Sequence, residues 1–233
     1  RLFLNQGKLK FKDITEKAGI RRATASSWCT GTSMVDINAD GLLDIYVCRS
    51  GNLQPQNRKN LLYVNMGDNT FIESAAVYGL DDTGFSIQAA FIDYDKDGDL
   101  DMYLANHGMS YYGRDASRSQ QSSNFDMEDR FYRNNNGYFI NVTEEAGILR
   151  RNYGYGLGVV VGDVNEDGWD DIYVSNDFYE HDYLYLNTGN GTFIESIKSQ
   201  TDHISFFGMG ADMADYNNDG LLDIAVVDMA AQD

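Results

Sequence analysis

Short apolar runs rich in Tyr, Val, Ile, Phe and Thr recur along the whole chain, broken by Asn, Gly and Asp at hairpin distances. Runs such as LFLN, KFKDIT, TSMVD and LLDIYV predict β-strands. No stretch longer than about a dozen residues sustains an apolar period of 3.6, so a helical solenoid is set aside. The expectation is an all-β fold.

The strand pattern repeats. VDINADGLLDIYV, IDYDKDGDLDMYL, GDVNEDGWDDIYV and ADYNNDGLLDIAV open acidic segments at Asp36, Asp93, Asp163 and Asp215. Between them stand Asn5, Asn65, Asn134 and Asn187, each followed by Phe11, Phe71, Phe139 or Phe193. An aromatic and a small residue precede each acidic segment: Trp28-Cys29, Phe85-Ser86, Tyr155-Gly156 and Phe207-Gly208. The repeat units span approximately 1–50, 61–106, 130–178 and 183–229, with an insertion at 107–129. From each Asn to the next acidic start the spacing stays within 28 to 31 residues, whereas from the end of an acidic loop to the next Asn it ranges from 16 to 33. Taking LFLN, KFKDIT, TSMVD and LLDIYV as one four-stranded antiparallel sheet gives a unit the size of a β-propeller blade.

Each acidic segment places oxygen-bearing side chains at relative positions 1, 3, 5 and 9, with Gly at 6. These are Asp36, Asn38, Asp40 and Asp44; Asp93, Asp95, Asp97 and Asp101; Asp163, Asn165, Asp167 and Asp171; Asp215, Asn217, Asp219 and Asp223. Alternate side chains converge only if the chain curls, and glycine permits the positive φ that a curl needs. With the carbonyls of Leu42, Asp99, Trp169 and Leu221 at position 7, and water, the set suits Ca2+, giving four expected sites. Neither Cys nor His enters a loop, which removes zinc. An apolar residue stands at position 12 where an EF-hand needs Glu. A metal-free hairpin turn is the plainer reading, but it leaves three or four carboxylates crowded together at a cost of about 1 kcal/mol or more for each close pair.

Composition narrows the function. Thirty-six acidic residues against 18 basic ones give a net charge of −18, which argues against a nucleic-acid partner. No apolar run is long enough to span a bilayer, so no membrane insertion by this segment is expected. The chain opens at Arg1 with neither Met nor a signal sequence, and reads as a piece of a longer protein. Two cysteines, Cys29 and Cys48, make no disulfide framework; a single cross-strand bond and buried free thiols stay open.

The loops resemble those of the FG-GAP and VCBS repeat family, the calcium-binding propeller blades of integrin alpha subunits. The stretches DITEKAGI (13–20) and NVTEEAGI (141–148) are similar to the ASPIC/UnbV, cartilage acidic protein-like subgroup. The resemblance implies a β-propeller, usually of seven blades, and an extracellular, cell-surface or periplasmic location. Four units suggest part of such a propeller, with a closed four-bladed ring as the alternative. The Trp28-Cys29 and Phe85-Ser86 pairs lack the glycine of the family's Phe-Gly element.

Propeller logic puts the variable connections at the end opposite the metal loops, where ligands bind. That face is expected to collect Arg21, Arg22, Arg49, Tyr111, Tyr112, Arg150, Arg151, Tyr153, Tyr179 and His181, residue types that favour protein interfaces and stack on sugars. The leading expectation is a calcium-binding secreted or cell-surface propeller that binds a protein or glycan. A polysaccharide-active enzyme and a structural spacer are the alternatives. His107 and His181 follow equivalent strands, but no nucleophile or acid/base partner accompanies them, so catalysis is not the favoured reading.

Overall fold

A computed structural model describes residues 1–20, 28–51, 54–108, 125–151, 154–177 and 180–229. They form three four-stranded antiparallel sheets and two two-stranded ones. The first full blade contains β3 (Trp28–Val35), β4 (Asp44–Ser50), β5 (Leu61–Asn65) and β6 (Phe71–Glu73). The second contains β7 (Ser86–Ile92), β8 (Asp101–Asn106), β9 (Arg130–Asn135) and β10 (Tyr138–Asn141). The third contains β11 (Gly156–Gly162), β12 (Asp171–Asn176), β13 (Tyr183–Asn187) and β14 (Phe193–Glu195). The paired strands β1 (Phe3–Asn5) and β2 (Phe11–Asp13) precede them, and β15 (Gly208–Ala214) with β16 (Asp223–Asp228) follows. Two single-turn helices, α1 (Ala75–Tyr78) and α2 (Ile197–Gln200), cap outer strands.

Each blade meets the next through its first strand, β3 to β7 to β11 to β15, the arrangement of propeller blades about an axis. The approach is close: Ser33 Oγ donates to the Ala89 carbonyl at 2.7 Å, and a Cβ at Gly31 would stand 2.1 Å from the Ile87 carbonyl oxygen. Apolar side chains fill the space between blades. Tyr46, Leu62 and Val64 pack on Ala89, Met102 and Phe139; Tyr103 and Phe131 pack on Val174, Tyr183 and Phe193. Every residue of β8 and β12 is buried, because a blade covers each of their faces and neither side alternates into solvent.

The sheet boundaries fall half a repeat away from the units 1–50, 61–106, 130–178 and 183–229. Strands LFLN and KFKDIT belong to one sheet, and TSMVD and LLDIYV to the next, where they join β5 and β6. The insertion at 107–129 therefore lies inside the second blade, between β8 and β9. Among the described residues β1–β2 and β15–β16 stand as separate two-stranded sheets, so a closed four-bladed ring is not formed.

A second latch joins neighbours at their outer strands. The Phe71 N–H donates to the Ala18 carbonyl, and that of Phe193 to Ala146. The glycine after each alanine has positive φ and lies against the next outer strand: a Cβ on Gly147 would be 2.5 Å from the Phe193 carbonyl oxygen. The Ala-Gly-Ile element and the phenylalanine after each Asn are thus two halves of one contact.

Candidate functional site

The acidic loops join the first and second strands of every sheet but β1–β2, all at one end of the blades, and share one backbone path. Position 6 is glycine at φ 85–95°, and position 4 is also left-handed, at Ala39, Lys96, Glu166 and Asn218. The second departure was not legible from residue type, because only Asn favours it; each costs an alanine, lysine or glutamate about 1 kcal/mol. Position 1 stabilises the curl. Asp36 accepts the N–H groups of Asp40 and Gly41 at 3.0 and 2.8 Å, Asp163 those of Asp167 and Gly168, and Asp215 those of Asp219 and Gly220. Position 5 accepts the N–H of position 7, as Asp40 does from Leu42 and Asp167 from Trp169, both at 2.8 Å; Asp97 from Asp99 and Asp219 from Leu221 repeat it.

Position 9 has a second role. Asp44, Asp101 and Asp171 are fully buried, and each uses one oxygen for the N–H of position 2 and the other for the N–H of an Asn at or next to the end of the third strand. Asp44 takes Ile37 and Asn65, Asp101 takes Tyr94 and Asn134, and Asp171 takes Val164 and Asn187. In the C-terminal two-stranded sheet Asp223 accepts only the Tyr216 N–H among the described contacts. The two sequence signatures, acidic loop and Asn-x-Gly turn, are therefore one hydrogen-bonded unit.

The donor set fits a hard divalent cation. Asp93, Asp95 and Asp101 bring carboxylate oxygens within 4.8 Å of one another. One oxygen each of Asp93, Asp95 and Asp99 is buried without a hydrogen-bond partner. Burial pushes the Asp101 carboxyl up to about 8, with Asp95 and Asp99 adding to the rise and the Asn134 and Tyr94 N–H groups opposing it. Burial, then neighbouring carboxylates, raises Asp95 and Asp99 as well. Asp44 is raised and Asp171 reaches about 6, again chiefly through burial.

The opposite end carries a constellation that the sequence reading missed. The hydroxyl of Tyr103 donates to Asp129 at 2.7 Å and that of Tyr173 to Asp182 at 2.6 Å; both carboxylates also take the N–H of the Asn closing the second strand, Asn106 or Asn176. In the first blade Asn60 replaces the aspartate, bonding the Arg49 N–H and the Tyr46 hydroxyl. The available signal was an Asp or Asn one residue before each third strand, paired with the Tyr of DIYV or DMYL.

These groups touch the next blade, and there the Phe-Gly element finds its explanation. A Cβ on Gly208 would stand 2.7 Å from Asp182 Oδ1, so glycine is required. Where Ser86 replaces glycine, Asn60 replaces aspartate and its Nδ2 donates to the Ser86 hydroxyl at 2.9 Å. Cys29 is exposed and Cys48 is buried, both as free thiols. A bulge between Cys29 and Thr32 sets Cys29 opposite Arg49. Burial pushes the Cys48 thiol far up.

Arg21, Arg22, Tyr111, Tyr112, Tyr153 and Tyr179 lie outside the described residues. Arg49 is half-buried, its Nη1 on the Lys59 carbonyl. Arg150 pairs with buried Glu128 at 2.8 Å in a cleft of about 300 Å³ lined also by Phe125, Arg130 and Glu144; Arg151 is exposed. The guanidinium of Arg130 covers the Phe125 ring at 4.2 Å, while that of Arg150 is 5.8 Å away. His107 packs edge-on against Tyr155, and His181 against Tyr183 and Phe206, so each histidine is engaged in its own aromatic cluster.

Comparison with known proteins agrees with this architecture. The model of the FG-GAP-like repeat matches residues 50–104 and 163–226, about half of the chain. Cartilage acidic protein 1 of Mus musculus is 30% identical over 136 residues, 58% of this chain and 20% of that protein. Its Xenopus tropicalis counterpart is 25% identical over 203 residues, 83% of this chain and 30% of that one. The chain thus spans less than a third of these relatives. A solved Agrocybe aegerita lectin, described for recognition of non-reducing terminal N-acetylglucosamine, aligns with a TM-score of 0.47 at 18% identity over 95% of this chain and 53% of its own. With matched repeats that include the second, third and fourth acidic loops, the chain belongs to the FG-GAP-like repeat family.

Proposed function

We propose that the chain is a calcium-stabilised propeller segment that acts outside the cell as a binding module for a protein or glycan. The convergence of Asp93, Asp95 and Asp101 within 4.8 Å carries the calcium reading, since clustered carboxylates with unpartnered buried oxygens on Asp93 and Asp95 suit a hard, oxygen-seeking cation. Asp36, Asn38, Asp40 and Asp44, and their counterparts in the third and fourth loops, offer the same donor order on the same backbone path. The cleft beside the exposed Phe125 ring and the half-exposed Arg150 supports the binding reading, because an aromatic face ringed by polar side chains, Glu128, Glu144 and Glu145 among them, suits a sugar ring. An extracellular setting is consistent with relatives named for cartilage. Among the described residues no helix is long and apolar enough to cross a membrane.

Thermal unfolding with and without chelator tests the calcium half. Free calcium at about a hundred times the dissociation constant adds about 2.7 kcal/mol per site; identical melting curves after verified metal removal would overturn it. A glycan and protein array probed in calcium tests the other half: capture that Arg150→Ala weakens supports the cleft, and capture indifferent to that change places binding elsewhere.

A further inference from the structure

The four acidic loops share a path but not a charge arrangement. In three of them position 3 is asparagine, and its side-chain amide does two jobs. The Nδ2 of Asn38, Asn165 and Asn217 donates to the position-5 carboxylate at 3.0 Å, and the Oδ1 accepts the position-5 N–H. A neutral group thus separates the aspartates at positions 1 and 5, and these loops satisfy much of their own polarity.

In the second loop Asp95 stands at position 3 and has no N–H to offer. The segment carries aspartate at 93, 95, 97, 99 and 101. Asp95 is half-buried where the three asparagines are exposed, so its charge is less screened. The orphaned buried carboxylate oxygens of the acidic loops, those of Asp93, Asp95 and Asp99, all belong here. Protein cations compensate only partly. Lys96, on the loop itself, holds its ammonium 4.2 Å from the centre of the Trp169 ring in the third loop, and Arg133 engages the hydroxyl of Tyr94.

Resting on the calcium reading above, we propose that the Asp93–Asp101 loop is a distinct high-affinity cation site, filled before the other three. Ligand charge count tunes calcium affinity over orders of magnitude on one loop geometry. The same feature makes this loop the least able to remain closed without its ion.

Trp169 stands within the third loop with its ring against Lys96 of the second, so tryptophan-sensitised terbium luminescence reports both of these loops, and variants assign the binding classes. Calorimetric titration of the whole chain with calcium, matched to terbium titration, resolves those classes. The expected result is one tight binding event followed by a weaker class; Trp169→Phe identifies the tryptophan-sensitised emission. Asp95→Asn restores the side-chain amide of the other loops and should remove the tight class, lowering its affinity about tenfold or more. Asn165→Asp should add a second tight site to the calorimetric titration. Four sites that fill together, with Asp95→Asn unchanged in affinity, would overturn the proposal and leave the calcium reading intact. Absence of cation binding in any loop of the folded chain would remove both.

Discussion

The carboxylate of Asp101 accepts the backbone N–H of Asn134 at 2.8 Å, bridging residues that two separate sequence signatures place 33 positions apart. Its other oxygen holds the Tyr94 N–H inside the acidic loop, so one buried side chain fixes both the curl and the strand that returns beside it.

Asp101→Ala should therefore cost stability whether or not calcium is bound, because two buried N–H groups lose their acceptor. A loss of about 2–4 kcal/mol in urea unfolding is expected. Persistence of most of that loss in chelator distinguishes the hydrogen-bonding role from metal ligation.

At Gly208, alanine brings a methyl group to 2.7 Å from Asp182 Oδ1, and that carboxylate is held by Tyr173 and Asn176. Gly208→Ala should destabilise the fold by about 1–3 kcal/mol. Gly208→Ser alone should behave similarly, whereas Gly208→Ser combined with Asp182→Asn reproduces the Asn60 and Ser86 pair and should recover much of the loss. A double-mutant cycle with no favourable coupling would contradict this account.

Burial raises the Asp129 carboxyl from its ordinary 3.8 to about 6, against the pull of the Asn106 N–H and the Tyr103 hydroxyl. An acid with a folded-state value above its unfolded one binds its proton more tightly when folded. That contribution is complete below about pH 4 and is lost as pH rises through about 6. Asp129→Asn, with the amide already used at Asn60, should flatten the wild-type decline across this window. Chemical denaturation of both proteins at fixed saturating calcium measures the difference.

Arg150 is half-exposed, yet its partner Glu128 is buried. Arg150→Ala leaves that carboxylate without its cation and should cost about 1–2 kcal/mol. Addition of Glu128→Gln should return part of it. Urea midpoints of the single and double variants test the pair, and equal midpoints for wild type and Arg150→Ala would show the pair to be dispensable.

Strand identity and the glycine curl of the acidic loops were legible in the sequence, because period, turn residues and carboxylate spacing are local properties; the left-handed fourth position was not. The phase of the blades was not. Both hairpins of a repeat have the same alternation, and the constant 28–31 residue spacing looked like the interior of a sheet. That constancy arises from the crossing between blades, where the Ala18 and Ala146 turns must reach Phe71 and Phe193. The variable segments connect strands within a sheet. The Asp129 and Asp182 positions were hidden for a related reason: a carboxylate before a strand reads as a turn residue until the tyrosine across the sheet is seen to donate to it.

Near-identical repeats joined in series carry a hazard, since a strand pair can dock on the wrong neighbour during folding. The contact between Asn60 and Ser86 differs from that between Asp182 and Gly208 in both partners at once. A serine Cβ has no room beside Asp182, and a glycine facing Asn60 would remove the Ser86 partner of its amide, leaving that of Tyr46. Matched substitution at this seam sets the junction of the first and second blades apart from the junctions that follow, where Asp129 and Asp182 each face a glycine.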